Sequence, residues 1–145
     1  SNKIKDINYL SNITLKTYFE EGNINIRNST LNWKDSILIN LEDVQLLREN
    51  NSIIFAGTIS LDFKDIDDFY RQYQIKKIYR KKIKKIRFDF LLDINARHIE
   101  LDNLKIDGAS NKDIDSFINN FNFKKQDIFN KIIFKNSIKE FFSNV

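Results

Sequence analysis

Cysteine, proline and methionine are absent from this chain, and glycine occurs only three times. Without cysteine there is no disulfide framework, no cysteine-based zinc site and no thiol nucleophile. The one histidine, His98, has no second histidine with which to build the usual zinc centre. Gly57 stands alone in a strand-like run, so no glycine-rich loop cradles phosphate. Nothing resembles the strand–turn–helix elbow that exposes a nucleophilic serine. Asp62, Asp65, Asp67 and Asp68 are dense but lack calcium-loop spacing. Paired carboxylates for hydrolysis find no preferred pair among the 20 acids. No apolar run is long enough to span a bilayer, and no signal peptide is visible. The missing proline, with heavy use of Ile, Asn and Lys, reads as codon bias toward A and T. The chain begins without Met inside a polar segment. It is expected to be a piece of a longer protein, with any anchor outside it.

Charge of one sign is scarce as well. The 24 basic residues nearly balance the acids, for a formal charge of +4 and an isoelectric point near 9.2. That permits an anionic surface as partner without arguing for nucleic acid. Trp33 and Tyr18 are not interleaved with basic residues as single-strand binding requires. What the chain does have is apolar material, 41% of residues with 13 Phe, in a length that suits one domain with a real core.

Its pattern is that of strands. Ile86, Phe88, Phe90 and Leu92 alternate with Arg87 and Asp89, the period of a strand packed on one side. After a polar break at 93–97, Ile99 and Leu101 point one way. Past Asp102 and Asn103 the apolar positions shift to Leu104 and Ile106. One extra residue at a bulge restores the buried face, which predicts a hairpin bulged near Asp102-Asn103. Ile39-Asn-Leu41-Glu42-Asp43-Val44-Gln-Leu46 repeats this phrase by residue type. Ile24-Asn-Ile26-Arg27-Asn28-Ser-Thr-Leu31 is a looser copy, so the kinked strand is a repeated unit.

In chain order, one or two strands are expected within 4–20, with an edge strand first, then a turn at Glu21-Gly22-Asn23. Strands follow at about 23–28, 36–47 and 52–63, the last two joined through Arg48–Ser52. In the last, Ile53, Phe55, Gly57, Ile59, Leu61 and Phe63 share one face. Ile54, Ala56 and Thr58 make the other partly apolar, so both faces are expected to be covered. Helices are predicted at about 65–74, capped by Asp65, at 111–121, capped by Ser110 or Asn111, and at 126–142, with a break near Lys135–Ser137 or burial on both sides. The run Ile75–Arg87 has eight basic residues and no acid. It reads as a phosphate-binding patch or, preferred because charge runs are usually solvated, as a connector whose isoleucines 75, 78, 83 and 86 tuck inward. The terminal Phe141-Phe142 reads as sheet cover, with a membrane or partner contact as the rival.

One stretch carries a family likeness. Leu61-Asp-Phe-Lys-Asp65-Ile-Asp-Asp-Phe69-Tyr70-Arg71-Gln-Tyr-Gln74 runs into the basic Tyr79-Arg80-Lys81, the strand Ile86–Phe90 and Leu101-Asp-Asn-Leu-Lys-Ile-Asp107-Gly108. From about residue 55 to 145 this resembles the C-terminal region of AsmA-like proteins, bacterial envelope-biogenesis proteins related to TamB and the bridge-like lipid-transfer proteins. The motifs are structural, and no catalytic residue transfers. The resemblance implies a single α+β domain over 1–145. Its sheet would be a curved, mostly antiparallel meander of bulged strands, with short helices after the fifth or sixth strand and at the C-terminus. It implies lipid transport in outer-membrane biogenesis, without enzymatic activity, cofactor or metal. The site would be a hydrophobic groove lined by Ile37, Ile39, Leu41, Phe55, Ile59, Leu61, Phe88, Phe90, Ile99 and Leu101. Lys76, Lys77, Arg80, Lys81 and Lys82 would meet head groups. Phospholipid or a membrane surface would be the partner, with other envelope proteins and no nucleic acid. The place would be the periplasm, membrane-associated as part of a longer protein anchored in the inner membrane. The alternative is a protein-interaction module with a filled core and an exposed sheet edge.

Overall fold

Residues 10–145 are described by a computed structural model. The expected strand at the very start of the chain, Ile4 and Ile7, lies outside the described residues. The strands are β1 (Leu10–Thr14), β2 (Thr17–Glu20), β3 (Asn23–Trp33), β4 (Ile37–Glu49), β5 (Ser52–Phe63), β6 (Lys85–Asp93) and β7 (His98–Ile106). They form one curved, open antiparallel sheet in the order β1–β3–β4–β5–β6–β7, with β2 beside β1 on the same side of β3. Helices α1 (Ile66–Gln72), α2 (Lys112–Lys124) and α3 (Lys131–Asn144) follow β5 and β7. The α+β meander expected from the alternation is therefore the fold.

The turns follow from residues that accept left-handed backbone. Asn50 (φ 46°) and Asn51 (φ 63°) make the two-residue link between β4 and β5. Two positive φ values in succession match the twist of the strands they join. Glu21 (φ 51°) and Gly22 (φ 79°) do the same between β2 and β3.

The repeated phrase marks a crease across the sheet. In β7 three residues, Asp102 to Leu104, stand against a two-residue step in β6, and Asn103 is left-handed at φ 49°. In β4 the register slips between Leu41 and Asp43, leaving Glu42 as the extra residue. In β3 Asn28 (φ 48°) falls between the pairs Arg27–Asp43 and Ser29–Leu41. The three copies thus depart from regular strand at neighbouring places, two of them, in β4 and β7, at a bulge. The crease reaches the edge, where β1 and β2 break at Leu15-Lys16. There the Lys16 N–H donates to Ser29 Oγ (2.8 Å) and the Arg27 N–H to the Lys16 carbonyl (3.2 Å). Gly57 explains why β5 can pass this line. A Cβ there would sit 1.9 Å from the Asp43 carbonyl oxygen, so only glycine lets the backbones close.

Side chains brace the crease on one face. Asp89 accepts from Thr58 Oγ1 (2.7 Å) and Asn103 Nδ2 (2.8 Å). The Asn103 bond, then that from Thr58, holds its carboxyl below the ordinary range. Arg87 pairs with Glu42 at 2.9 Å and likewise lowers that carboxyl.

The helices collect at one end of the opposite face. Asp65 caps α1 by accepting from the Asp67 and Asp68 N–H groups. Ile66, Phe69 and Tyr70 then face inward, and Phe142 of α3 packs edge-on against Phe69 (5.5 Å) and Tyr70 (5.2 Å). Tyr70 is fully buried, and its hydroxyl donates to the Lys81 carbonyl (2.6 Å). Burial pushes its pKa up. Phe141 and Phe142 are therefore sheet cover.

Three expectations need correction. The third helix starts at Lys131, not 126, because Lys125 ends α2 in a left-handed turn and Asn130 caps a new start. It has no break at 135–137, where Ser137 Oγ bonds the Ile133 carbonyl within the helix. Helices do not cover both sheet faces: among the described residues they and their core lie on one face, while Ile54 is buried on the other. In the basic run Ile75, Ile83 and Ile86 are buried, but Ile78 is 81% exposed on the short 3-10 turn Lys77–Tyr79.

Candidate apolar groove

Cross-strand pairing sorts the helix-bearing face into rows. At the covered end lie Trp33, Ile37 and Phe63, then Leu31, Ile39, Leu61, Ile86 and Ile106. At the crease lie Ser29, Leu41, Ile59 and Phe88. Beyond it come Ile26, Val44, Gly57, Phe90 and Leu101, and last Ile24, Leu46, Phe55, Leu92 and Ile99. The bulges make this possible, because without them every residue past the crease would turn to the other side. Ser29 is the one polar side chain in the rows. It is buried, and its hydroxyl accepts from Lys16 and donates to the Arg27 carbonyl.

The opposite face is mostly polar, with Ser60 and Asn25 buried within it. Its rows read Arg27, Asp43, Thr58, Asp89, Asp102 and Thr30, Asn40, Ser60, Arg87, Lys105. Leu47, Ile54, Ala56 and Leu91 form an apolar patch there, with Ile54 buried, and Leu38 stands apart between Asn32 and Asp62.

Between the apolar rows and the helices is a cavity of about 250 Å³ without polar surface. The sheet supplies Leu61, Phe63, Ile86, Phe88, Ile99, Leu101 and Leu104. Phe69 of α1, Phe117 and Phe121 of α2, and Ile128, Phe134, Ser137, Ile138, Phe141 and Phe142 complete it. That volume lies just under the roughly 300–1,000 Å³ of small-molecule pockets.

All ten groove residues expected from the sequence share this face. Leu61, Phe88, Ile99 and Leu101 line the cavity. Leu41, Phe55, Ile59 and Phe90 belong to the rows at and beyond the crease. Ile39 packs against the core, and Ile37 is sealed beneath the helices. The helical lining was not among the expected groove residues. The stripe Ile114, Phe117, Ile118, Phe121 was the available signal, but it does not say whether the helix seals a core or leaves a gap.

The five basic candidates divide. Arg80 Nε donates to the Ile75 carbonyl (2.9 Å), and Lys81 donates to the Val145 carbonyl. Both anchor the connector. Lys76, Lys77 and Lys82 lie exposed around Ile78.

The two sheet edges also differ. Asn122 of α2 donates to the Leu101 carbonyl (2.8 Å) and accepts from the Leu101 N–H (2.9 Å). One amide thereby imitates a neighbouring strand and blocks β7. Every residue of β1 and β2 is exposed, including Ile13 and Phe19.

Among the described residues no cluster of three His, Asp or Glu could hold a metal ion, and no helix is long and apolar enough to cross a membrane. Glu42, Asp89 and Asp127 all have lowered pKa values, from side-chain bonds to Arg87, Asn103 and Arg97 respectively. The chain matches no family model, no curated protein and no solved structure.

Proposed function

We propose that this domain is a non-enzymatic cell-envelope module that holds the acyl chain of a phospholipid along its apolar face, as the likeness to AsmA-like proteins implies. The observation that carries the reading is the set of apolar rows, interrupted only by Ser29 at the crease, that runs into a cavity without polar surface. From the crease to the last row is about 14 Å at strand spacing. That is close to the ~15 Å a chain occupies in one leaflet of a ~30 Å bilayer core. Each methylene taken from water there contributes about 0.8 kcal/mol. Lys76, Lys77 and Lys82 are the cations open to a phosphate head group, with Arg80 and Lys81 fixing their loop. Work in the periplasm, as part of an anchored longer protein, belongs to the same proposal.

Native mass spectrometry after gentle purification tests it. Co-purified phospholipid, lost on Ile59→Glu, is expected, together with lipid transfer between liposomes. A consistently lipid-free protein that transfers nothing would overturn it. A second reading, an interaction module that adds a partner strand, is favoured by the exposed β1–β2 edge. It expects capture of an extended peptide by that edge, whether or not lipid is bound.

A further inference from the structure

We infer that residues 123–135, the end of α2, the turn that follows it and the start of α3, seat on the surface of an anionic phospholipid bilayer. Four large apolar side chains project from this short stretch. Phe123 is 85% exposed and Ile132 72%, with Phe129 and Phe134 also exposed. Scattered single exposures are ordinary, but such a grouping marks an interaction surface. The segment is not loose. The Ile128 N–H donates to the Arg97 carbonyl (3.1 Å), Asp127 pairs with Arg97 (2.9 Å), and the Arg97 guanidinium lies over the Phe129 ring at 5.2 Å. Asn130 caps the next helix with two bonds. A segment fixed this firmly yet showing its phenylalanines is shaped to present them.

Charge selects the partner. The stretch 123–135 itself carries four lysines, at 124, 125, 131 and 135, and one acid, Asp127. Aromatic and aliphatic side chains among lysines suit the head-group boundary of an anionic membrane. Ile128 and Phe134 of the same segment line the cavity, so docking here brings its rim to the lipid. The proposal deepens the acyl-chain reading and rests on it for that consequence.

The test is co-sedimentation of the whole chain with vesicles of phosphatidylcholine alone or with added phosphatidylglycerol. The double variant Phe123→Ser/Ile132→Ser removes the apolar contact. Lys124→Gln/Lys125→Asn/Lys135→Gln removes charge, with Asn at 125 because it accepts the left-handed backbone there (φ 47°). Wild type should prefer the anionic vesicles and lose them at high salt. Each variant should bind at least about tenfold more weakly while circular dichroism stays unchanged. Equal binding to both vesicles, or variants that bind like wild type, would overturn the inference. A soluble short-chain fluorescent phospholipid reads loading separately, and the docking variants should load normally. Loading without docking sinks this surface alone. Docking without loading supports the surface and sinks the acyl-chain reading.

Discussion

The two ends of the apolar face are made by the same strands and finished in different ways. At one end Trp33, Ile37, Phe63 and Ile86 lie under three helices in one cluster with Tyr70 and Phe142, and this cluster borders the cavity. At the other Leu46, Phe55 and Leu92 are half-buried with no helix in the described core above them. In the proposed reading the covered end serves mainly stability and the half-buried rows at the open end serve mainly binding.

The contrast can be broken by substitution. Phe142→Ala at the covered end should cost about 3–5 kcal/mol, read by urea denaturation. Phe55→Ala at the open end should cost under about 2 kcal/mol, while weakening lipid retention. Equal losses would erase the distinction. Gly57→Ala tests the crease between them. Its Cβ must displace the β4 backbone, so about 2–3 kcal/mol should be lost, with unfolding midpoints as the readout. Asn122→Ala bares the β7 edge at a cost of about 1–2 kcal/mol, and should make two-sided strand association visible by light scattering.

The smallest effect is that of pH. Asp89 has a lowered folded pKa, so its stabilisation is complete above the ordinary carboxylate value and is lost as pH falls through the folded one. Wild type should lose stability on acidification below about pH 4 more steeply than Asp89→Asn. Identical slopes would mean that the Thr58–Asp89–Asn103 brace does not hold the crease.

Much of the fold could be read from residue order. A parity flip at Asp102-Asn103 has few structural meanings, and its recurrence at Glu42-Asp43 marks a second bulge, whereas at Asn28 the backbone turns left-handed with no register shift against β4. Asp65 and Asn111 capped helices as their side chains suggest. The third helix was misplaced because Ile128 and Phe129 continue a helical stripe. Their positions are decided by contacts with Arg97, which sequence spacing cannot show. Ile54 and Ala56 suggested a cover on the second face, where Ile54 is buried although it lies outside the helix-bearing core. The strand side of the groove followed from alternation. Its helical side did not, because an apolar stripe is the same whether it closes a core or roofs a cavity.

Site-specific photo-crosslinking is the most direct measurement. Benzoylphenylalanine placed at Phe55 and Ile99 on one face, and at Gln45 and Glu100 on the other, would report what lies against each during exposure to phospholipid vesicles. Lipid adducts at 55 and 99, with none at 45 and 100, are expected. Adducts on both faces alike, or on neither, would contradict an acyl chain carried beyond the crease.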